Sequence, residues 1–279
     1  MIADLLTQAG KRLQTAGFSA DEAAILLAAT LNVDRTYLYS QGETKISQEQ
    51  LTVFTDYLDQ RLAGQPVAYI LDYKDFYNRR FIVNPDVLIP RPDSEVLITT
   101  ALELLKNLPA TSYQPLAILD IGTGSGCLII TIALETAGRF NYLGTDISLP
   151  ALAVAQENAD SLQAKVSFLP SDLLDDIPLQ KFNLILANLP YLQPEQLNES
   201  SIMKEPQLAL YGGTDGLMYY ERLLKTVANY LQPDGILLLE IDPGQKDLLT
   251  SLIQQQPIKW QLEFINDLSG RIRVAKLSL

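Results

Sequence analysis

The sequence predicts an α/β fold: a seven-stranded, mostly parallel sheet covered by helices on both faces, with an antiparallel final strand, preceded by a small helical domain. Three observations carry this. From residue 116 onward, short apolar runs with strand character alternate with helical segments, the pattern of a parallel sheet with crossover helices. The last two runs are joined only by the five residues NDLSG, too few for a parallel crossover, so they must pair antiparallel. The first 64 residues lack this strand-and-glycine punctuation and read as helical throughout.

Within residues 1–64, Ser19 with Glu22 and Ser47 with Gln50 have capping-box spacing ahead of apolar stretches, which predicts two helix starts. Leu51, Phe54, Leu58 and Leu62 recur at helical spacing and give one apolar face. A bundle of roughly 65 residues is marginal alone, so it is expected to dock on something or grip a partner. Residues 65–92 read as a hairpin connector: the patches YI, DFY and RFIV flank Asn78, and Pro85, Pro90 and Pro92 restrict the backbone after them. A helix from about 93 to 107 then opens the third part, residues 93–279.

The strand candidates there are 116–121, 140–145, 166–169, 182–187, 235–241, 259–265 and 271–278; helices are expected near 125–136, 149–159, 215–231 and 244–255. Pro150, two positions after Ser148, suits a helix start.

Composition narrows the chemistry. The chain has 279 residues, with 21 Lys plus Arg against 33 Asp plus Glu, a net charge of -12 and 47% hydrophobic residues. It is long enough to bury a sizeable core and is globular rather than disordered. Histidine is absent, which removes His-based triads, histidine metal ligands and imidazole acid or base catalysis; Cys127 is alone, so no thiolate cluster forms and no metal is expected. Cys127 is expected to pack as a small hydrophobe. The N-terminal residues do not resemble a leader, and the chain has no apolar run of 18 residues, so a soluble, cytoplasmic protein without membrane contact is expected. Arg79 and Arg80 are too few for a basic patch, and the acidic balance argues against a stable nucleic-acid complex.

The first strand runs straight into GTGSG, placing Gly122, Thr123, Gly124, Ser125 and Gly126 at a strand-to-helix turn, where glycine allows close approach of a ligand. The second strand ends at Asp146, 24 residues beyond Gly122, where a carboxylate can accept hydrogen bonds from a ribose diol. These features indicate a nucleoside cofactor. A pyrophosphate dinucleotide prefers GxGxxG, whereas here the third glycine comes one position early; Asp120 before the loop suits an ammonium or the loop amides better than a phosphate. Both points favour S-adenosyl-L-methionine. Asp172 can accept a hydrogen bond from an adenine amino group, or serve as an ordinary turn aspartate.

The fourth strand runs into NLPYL. Asn188 offers an acceptor and a donor from one planar head, and the Leu189 carbonyl adds a second acceptor, a pair suited to a planar NH2 such as a glutamine side chain or an adenine edge. Pro190 fixes its own φ, and Tyr191 can lay its ring on the planar group. The loop alone does not separate these acceptors.

The sequence resembles the peptide chain release factor glutamine-N5 methyltransferase family through IPRPDSE (89–95), DIGTGSG (120–126), NLPY (188–191), EPQLALYGGTDGL (205–217), LLEIDPGQ (238–245) and DLSGRIRV (267–274). The resemblance spans nearly the whole chain. It implies a Rossmann-like methyltransferase domain using S-adenosylmethionine, a helical domain that helps recognise the release factor, and the GGQ glutamine as methyl acceptor. It implies that Gly122 through Gly126 surround the methionyl portion, Asp146 the ribose, and Asp172 with Leu173 the adenine. Asn188 through Tyr191 would hold the acceptor glutamine, with Asn188 also bordering the cofactor. The family's usual NPPY is NLPY here; Leu189 retains the backbone carbonyl but not the φ restriction of proline. A monomer is expected. Competing readings are a ribosomal-protein glutamine methyltransferase, an adenine-N6 nucleic-acid methyltransferase, and a cofactor-binding protein without transfer.

Overall fold

The computed structural model describes residues 1–106, 116–198 and 202–279. It divides into two compact units, Met1–Tyr73 and Lys74–Leu279.

The first unit is built from α1 (Ile2–Thr15), α2 (Glu22–Leu31), α3 (Arg35–Ser40), α4 (Gln48–Leu62) and the short α5 (Val67–Ile70). Ile2, Leu13, Leu26, Leu27, Phe54 and Leu58 are buried together as its core. The Ser47–Gln50 capping box forms in both directions at the start of α4, with hydrogen bonds of 3.1 and 2.8 Å. The Ser19–Glu22 box does not form. Glu22 is instead drawn to Arg61, at 2.6 Å, and Arg61 also lies over the Phe18 ring. A half-buried ion pair and a ring contact offer Glu22 more than an exposed backbone N–H would, so Asp21 becomes the residue before α2 and makes no side-chain cap.

At the boundary between the units stands a hairpin of β1 (Tyr73–Phe76) and β2 (Arg79–Ile82). Its two turn residues, Tyr77 and Asn78, both have positive φ, the conformation whose twist suits a two-residue hairpin. A single 3-10 turn at Pro92–Ser94 leads into α6 (Glu95–Lys106); position 107 of the expected helix lies outside the described residues.

The rest of the second unit runs β3 (Ala117–Ile121), α7 (Cys127–Glu135), β4 (Asn141–Asp146), α8 (Leu149–Ser161), β5 (Ser167–Pro170), β6 (Phe182–Ala187), α9 (Met218–Leu224), β7 (Leu231–Glu240), α10 (Lys246–Gln254), β8 (Gln261–Asn266) and β9 (Ile272–Ser278). The seven strands lie in the order β5-β4-β3-β6-β7-β9-β8. All pairings from β5 to β7 are parallel, and β9 inserts antiparallel between β7 and β8. Successive side chains on the central strands point to opposite faces and therefore feed two separate cores. Leu119, Ile185 and Leu237 join Tyr220, Leu223 and Leu249 on one face, whereas Ile118, Leu184 and Leu238 join Leu97, Ile98 and Ile129 on the other.

The helix expected over 215–231 is shorter. Only Met218–Leu224 is α-helical, a 3-10 turn covers Val227–Tyr230, and β7 already begins at Leu231, which pairs with Phe182. Before α9 the chain is held away from helical geometry by Gly213 and Gly216, both with positive φ, and by the bond from the Gly212 N–H to the Leu192 carbonyl at 2.9 Å. Strand β3 lies beside β6, with β4 on its other side, so the loops after β3, β4 and β6 open at the carboxyl end of the sheet, where ligands bind in such sheets.

Candidate active site

At the end of β3, Gly122, Gly124 and Gly126 all take positive φ, a conformation that disfavours any side chain. Gly126 serves packing: a Cβ there would stand 2.7 Å from Ile130 Cδ1 and 3.2 Å from Ala155 Cβ, so the third glycine lets the turn close against its own helix and α8. Gly124 has open space where its side chain would be. The Asp120 carboxyl is buried beneath the loop, where its Oδ2 accepts from the Thr123 hydroxyl at 2.6 Å and its Oδ1 has no hydrogen-bond partner. Burial raises the Asp120 pKa to about 7, against the lowering effect of the Thr123 hydroxyl.

Asp146, at the end of β4, holds this loop in place. Its Oδ2 accepts from the Gly124 N–H and its Oδ1 from the Ser148 N–H, each at 2.9 Å. Each oxygen keeps a second lone pair for a hydroxyl. Burial raises the Asp146 pKa above the ordinary carboxylate value, with the backbone N–H groups of Ser148, Gly124 and Ile147 opposing it.

These elements border a cleft of about 250 Å3. Gly122, Gly124, Asp146, Asp172, Leu173 and Asn188 all reach its wall, as do Leu189 and Pro190. Asp120, Thr123, Ser125 and Gly126 do not; they shape the loop from behind. Asp172 is paired with Arg222 at 2.8 Å, and Arg222 and Tyr219 of α9 line the same wall. Leu173 is buried with φ at +54°, a strained conformation for a leucine, next to Ser171, whose hydroxyl donates to the Leu173 carbonyl at 3.1 Å. Neither Tyr219 nor Arg222 was signalled by the sequence, because the expected helix gave no sign of which side would face the cleft.

A second cavity, of about 270 Å3, adjoins the first in its lining. Asn188, Leu189 and Pro190 belong to both walls, while Tyr191 belongs only to the second, together with Arg91, Glu240 and Asp242. The NLPY turn thus stands, with Leu88 and Ala209, between two chambers. Asn188 Nδ2 donates to the Ser94 hydroxyl at 3.3 Å, leaving Oδ1 as the acceptor of that head group. Leu189 is buried in the core, and its Cδ2 would lie 3.2 Å from a Cβ on Gly122, so its side chain packs on the glycine loop.

Two family models match the chain: the PrmC N-terminal domain over residues 4–71 and the methyltransferase small domain over residues 95–207. The release factor glutamine methyltransferase of Bacillus cereus is 36% identical over 276 residues, covering 97% of this chain and 96% of the relative. The chain belongs to the release factor glutamine methyltransferase family. The Haemophilus influenzae relative of the same name is 33% identical, covering 91% of this chain and 89% of its own. In fold alone, a methyltransferase from Pyrococcus furiosus is similar at a TM-score of 0.52 and 16% identity, over 80% of this chain and 98% of that one.

The segments that carry the family resemblance are far apart in sequence and converge behind the NLPY turn. Arg91 forms an ion pair with the buried Glu205, which also accepts from the Ile89 N–H at 3.0 Å. Asp93 meets Arg273 at 2.8 Å. Gln245 Nε2 donates to the Gly216 carbonyl at 3.0 Å and to the Tyr191 carbonyl at 3.3 Å. Gly212 presses on the turn so closely that a Cβ would lie 2.5 Å from Tyr191 Cα and 2.6 Å from the Pro190 oxygen. Buried Asn158 does the same service for the glycine loop, donating to the Ser125 carbonyl at 2.9 Å and to the Ile82 carbonyl at 3.0 Å. Sequence reading marked most of the segments but gave none of these supporting side chains a role, since each acts through a partner distant in sequence.

Proposed function

We propose that this chain transfers a methyl group from S-adenosyl-L-methionine to the side-chain amide nitrogen of the glutamine in the GGQ segment of peptide chain release factors. The observation that carries the reading is the position of Asn188 on the shared wall of the two chambers. The first chamber fits the donor. Its wall carries Asp86, Asp146 and Asp172, and the one cationic residue among its described lining, Arg222, is already paired with Asp172, so a sulfonium and an ammonium suit it and a pyrophosphate does not. When bound, S-adenosylmethionine supplies a methyl group made electrophilic by the attached sulfonium. Gly122 and Gly124 would admit its methionyl end, Asp146 its ribose, and Asp172 with Leu173 its adenine.

An amide nitrogen is a weak nucleophile because its lone pair is delocalised into the carbonyl. The chain's contribution is therefore orientation. Asn188 Oδ1 and the Leu189 carbonyl accept the two N–H groups and stop the nitrogen from turning away, while Pro190 holds the backbone and Tyr191 lies along the planar group. Alignment of this kind lowers barriers by several kcal/mol, up to about 7–11 in the best cases. Leu189 lacks proline's fixed φ, and burial against Gly122 supplies the restraint in its place. The proton leaves after transfer, so no dedicated base is required, in keeping with a chain that has no histidine.

We assign recognition of the release factor to the helical region, residues 1–64, with 65–92 as connector and 93–279 as the methyltransferase domain. Among the described residues no helix is long and apolar enough to cross a membrane. The enzyme is read as a cytoplasmic monomer that forms no stable nucleic-acid complex. Incubation with labelled S-adenosylmethionine and purified release factors, followed by peptide mapping, tests the whole reading. Label on the GGQ glutamine, abolished when that glutamine is substituted, is expected; label that persists after the substitution contradicts it.

A further inference from the structure

Strand β7 supplies leucines to the core at 237, 238 and 239, and then, one residue further, Glu240. Its side chain is just as buried, yet its Oε2 has no hydrogen-bond partner. A buried carboxyl with an unpartnered oxygen is costly, so packing alone explains it poorly. Its neighbours suggest a different role. The Tyr191 hydroxyl donates to Glu240 Oε1 at 3.5 Å, and the Ser94 hydroxyl lies close enough to the same carboxyl to favour its charged form. Ser94 in turn accepts from Asn188 Nδ2 at 3.3 Å. The last residue of the NLPY turn therefore bonds this carboxyl directly and the first leads toward it by way of Ser94, and Glu240 lines the second chamber beside the turn.

We propose that Glu240, acting through Ser94 and Tyr191, is a positioning residue for methyl transfer, setting the Asn188 head group and the Tyr191 ring on either side of the acceptor carboxamide. This role rests on the reading of the NLPY turn as the acceptor-binding element. The donor directions are consistent along the chain. Asn188 Nδ2 gives its hydrogen to Ser94, the Ser94 hydroxyl is free to give its own to Glu240, and Asn188 Oδ1 is left to accept. Removing the carboxyl frees both ends of the turn together. Arg273 lies beside Glu240 and favours its charged form, but its Nη2 is engaged with Asp93 at 2.8 Å and Asp267 at 3.7 Å, its Nε has no hydrogen-bond partner, and it makes no hydrogen bond to the NLPY turn.

The test uses the full chain with a release factor and S-adenosylmethionine, comparing Ser94→Ala, Glu240→Leu, the double variant and Glu240→Gln. Ser94→Ala and Glu240→Leu are each expected to lower kcat at least tenfold while S-adenosylhomocysteine affinity stays within twofold. The double variant should be within about threefold of the worse single one, because both act on one path. Glu240→Gln, whose carboxamide oxygen still accepts, should recover most of the turnover. A folded Glu240→Leu protein with turnover within twofold of the parent, losses that multiply in the double variant, or a loss confined to cofactor affinity would each overturn the proposal. If Glu240→Leu does not fold, Ser94→Ala against Glu240→Gln decides it: turnover unchanged in Ser94→Ala, or no recovery in Glu240→Gln, overturns it. Should the parent methylate an acceptor other than the GGQ glutamine, the substrate reading fails while the same comparison proceeds on that acceptor.

Discussion

The two chambers on either side of Asn188 are built in different ways. The glycine-turn side of the cofactor cleft is assembled from short-range parts: a strand, a glycine turn, and an aspartate at the end of the neighbouring strand, with Asp146 bonding Gly124 only 22 residues away. The acceptor chamber is held by partners drawn from the whole second unit, with Arg273 meeting Asp93 across 180 residues and Glu205 serving Ile89 across 116. The glycine-turn wall of the first needs only β3 and β4 to pair, although Asn188 and Arg222 on its other walls come from later in the chain. The second exists only when the fold is complete, so its geometry is sensitive to distant substitutions that leave the cofactor cleft intact.

Four changes sharpen that contrast. Asn188→Ala removes the shared partition's polar head and should lower kcat by about 10²–10³, the scale seen when one preorganised polar group is deleted from a reacting centre, with cofactor affinity little changed in a binding titration. Equal losses in both would place Asn188 in the cofactor cleft only. Gly212→Ala drives a methyl group into the Pro190–Tyr191 backbone and should cost about 1–3 kcal/mol in denaturant unfolding together with turnover, again sparing cofactor binding.

The third change is one of pH. Burial holds Asp120 and Glu240 at about 7, above their ordinary values of 3.8 and 4.5. The folded protein therefore binds protons that the unfolded chain has already lost between about pH 4 and 7. The stabilisation from these two groups is complete below their unfolded values and is lost as pH rises through about 7. Ligand-free wild type should lose more stability between pH 5.5 and 8 than the Asp120→Asn, Glu240→Gln double variant; parallel denaturation curves at the two pH values would refute this. The smallest effect is expected in the helical unit, where Ser47→Ala removes one capping box and should cost about 1 kcal/mol without altering turnover on saturating release factor.

The contrast also explains what was legible in the sequence. The strands and their alternation with helices could be read because short apolar runs and tight connections are local signals, and the antiparallel β9 came from a five-residue joint. The glycine turn, Asp146 and the NLPY turn could be placed at strand ends for the same reason. Ser94, Glu240, Gln245 and Gly212 could not, since nothing near each of them names its partner. The same blindness produced the unformed Ser19–Glu22 box: Glu22 is taken by Arg61, 39 residues away. Likewise, the expected helix cannot run on to 231 because Leu231 pairs with Phe182, which no helical periodicity reveals.

The central claim is that the NLPY turn presents an amide-binding edge from the acceptor chamber to the cofactor cleft. A crystal structure with S-adenosylhomocysteine and a GGQ-containing peptide tests it most directly. The glutamine carboxamide nitrogen should lie within about 3.2 Å of both Asn188 Oδ1 and the Leu189 carbonyl, with the Tyr191 ring alongside. A glutamine bound elsewhere, with Asn188 turned away from it, would contradict the account.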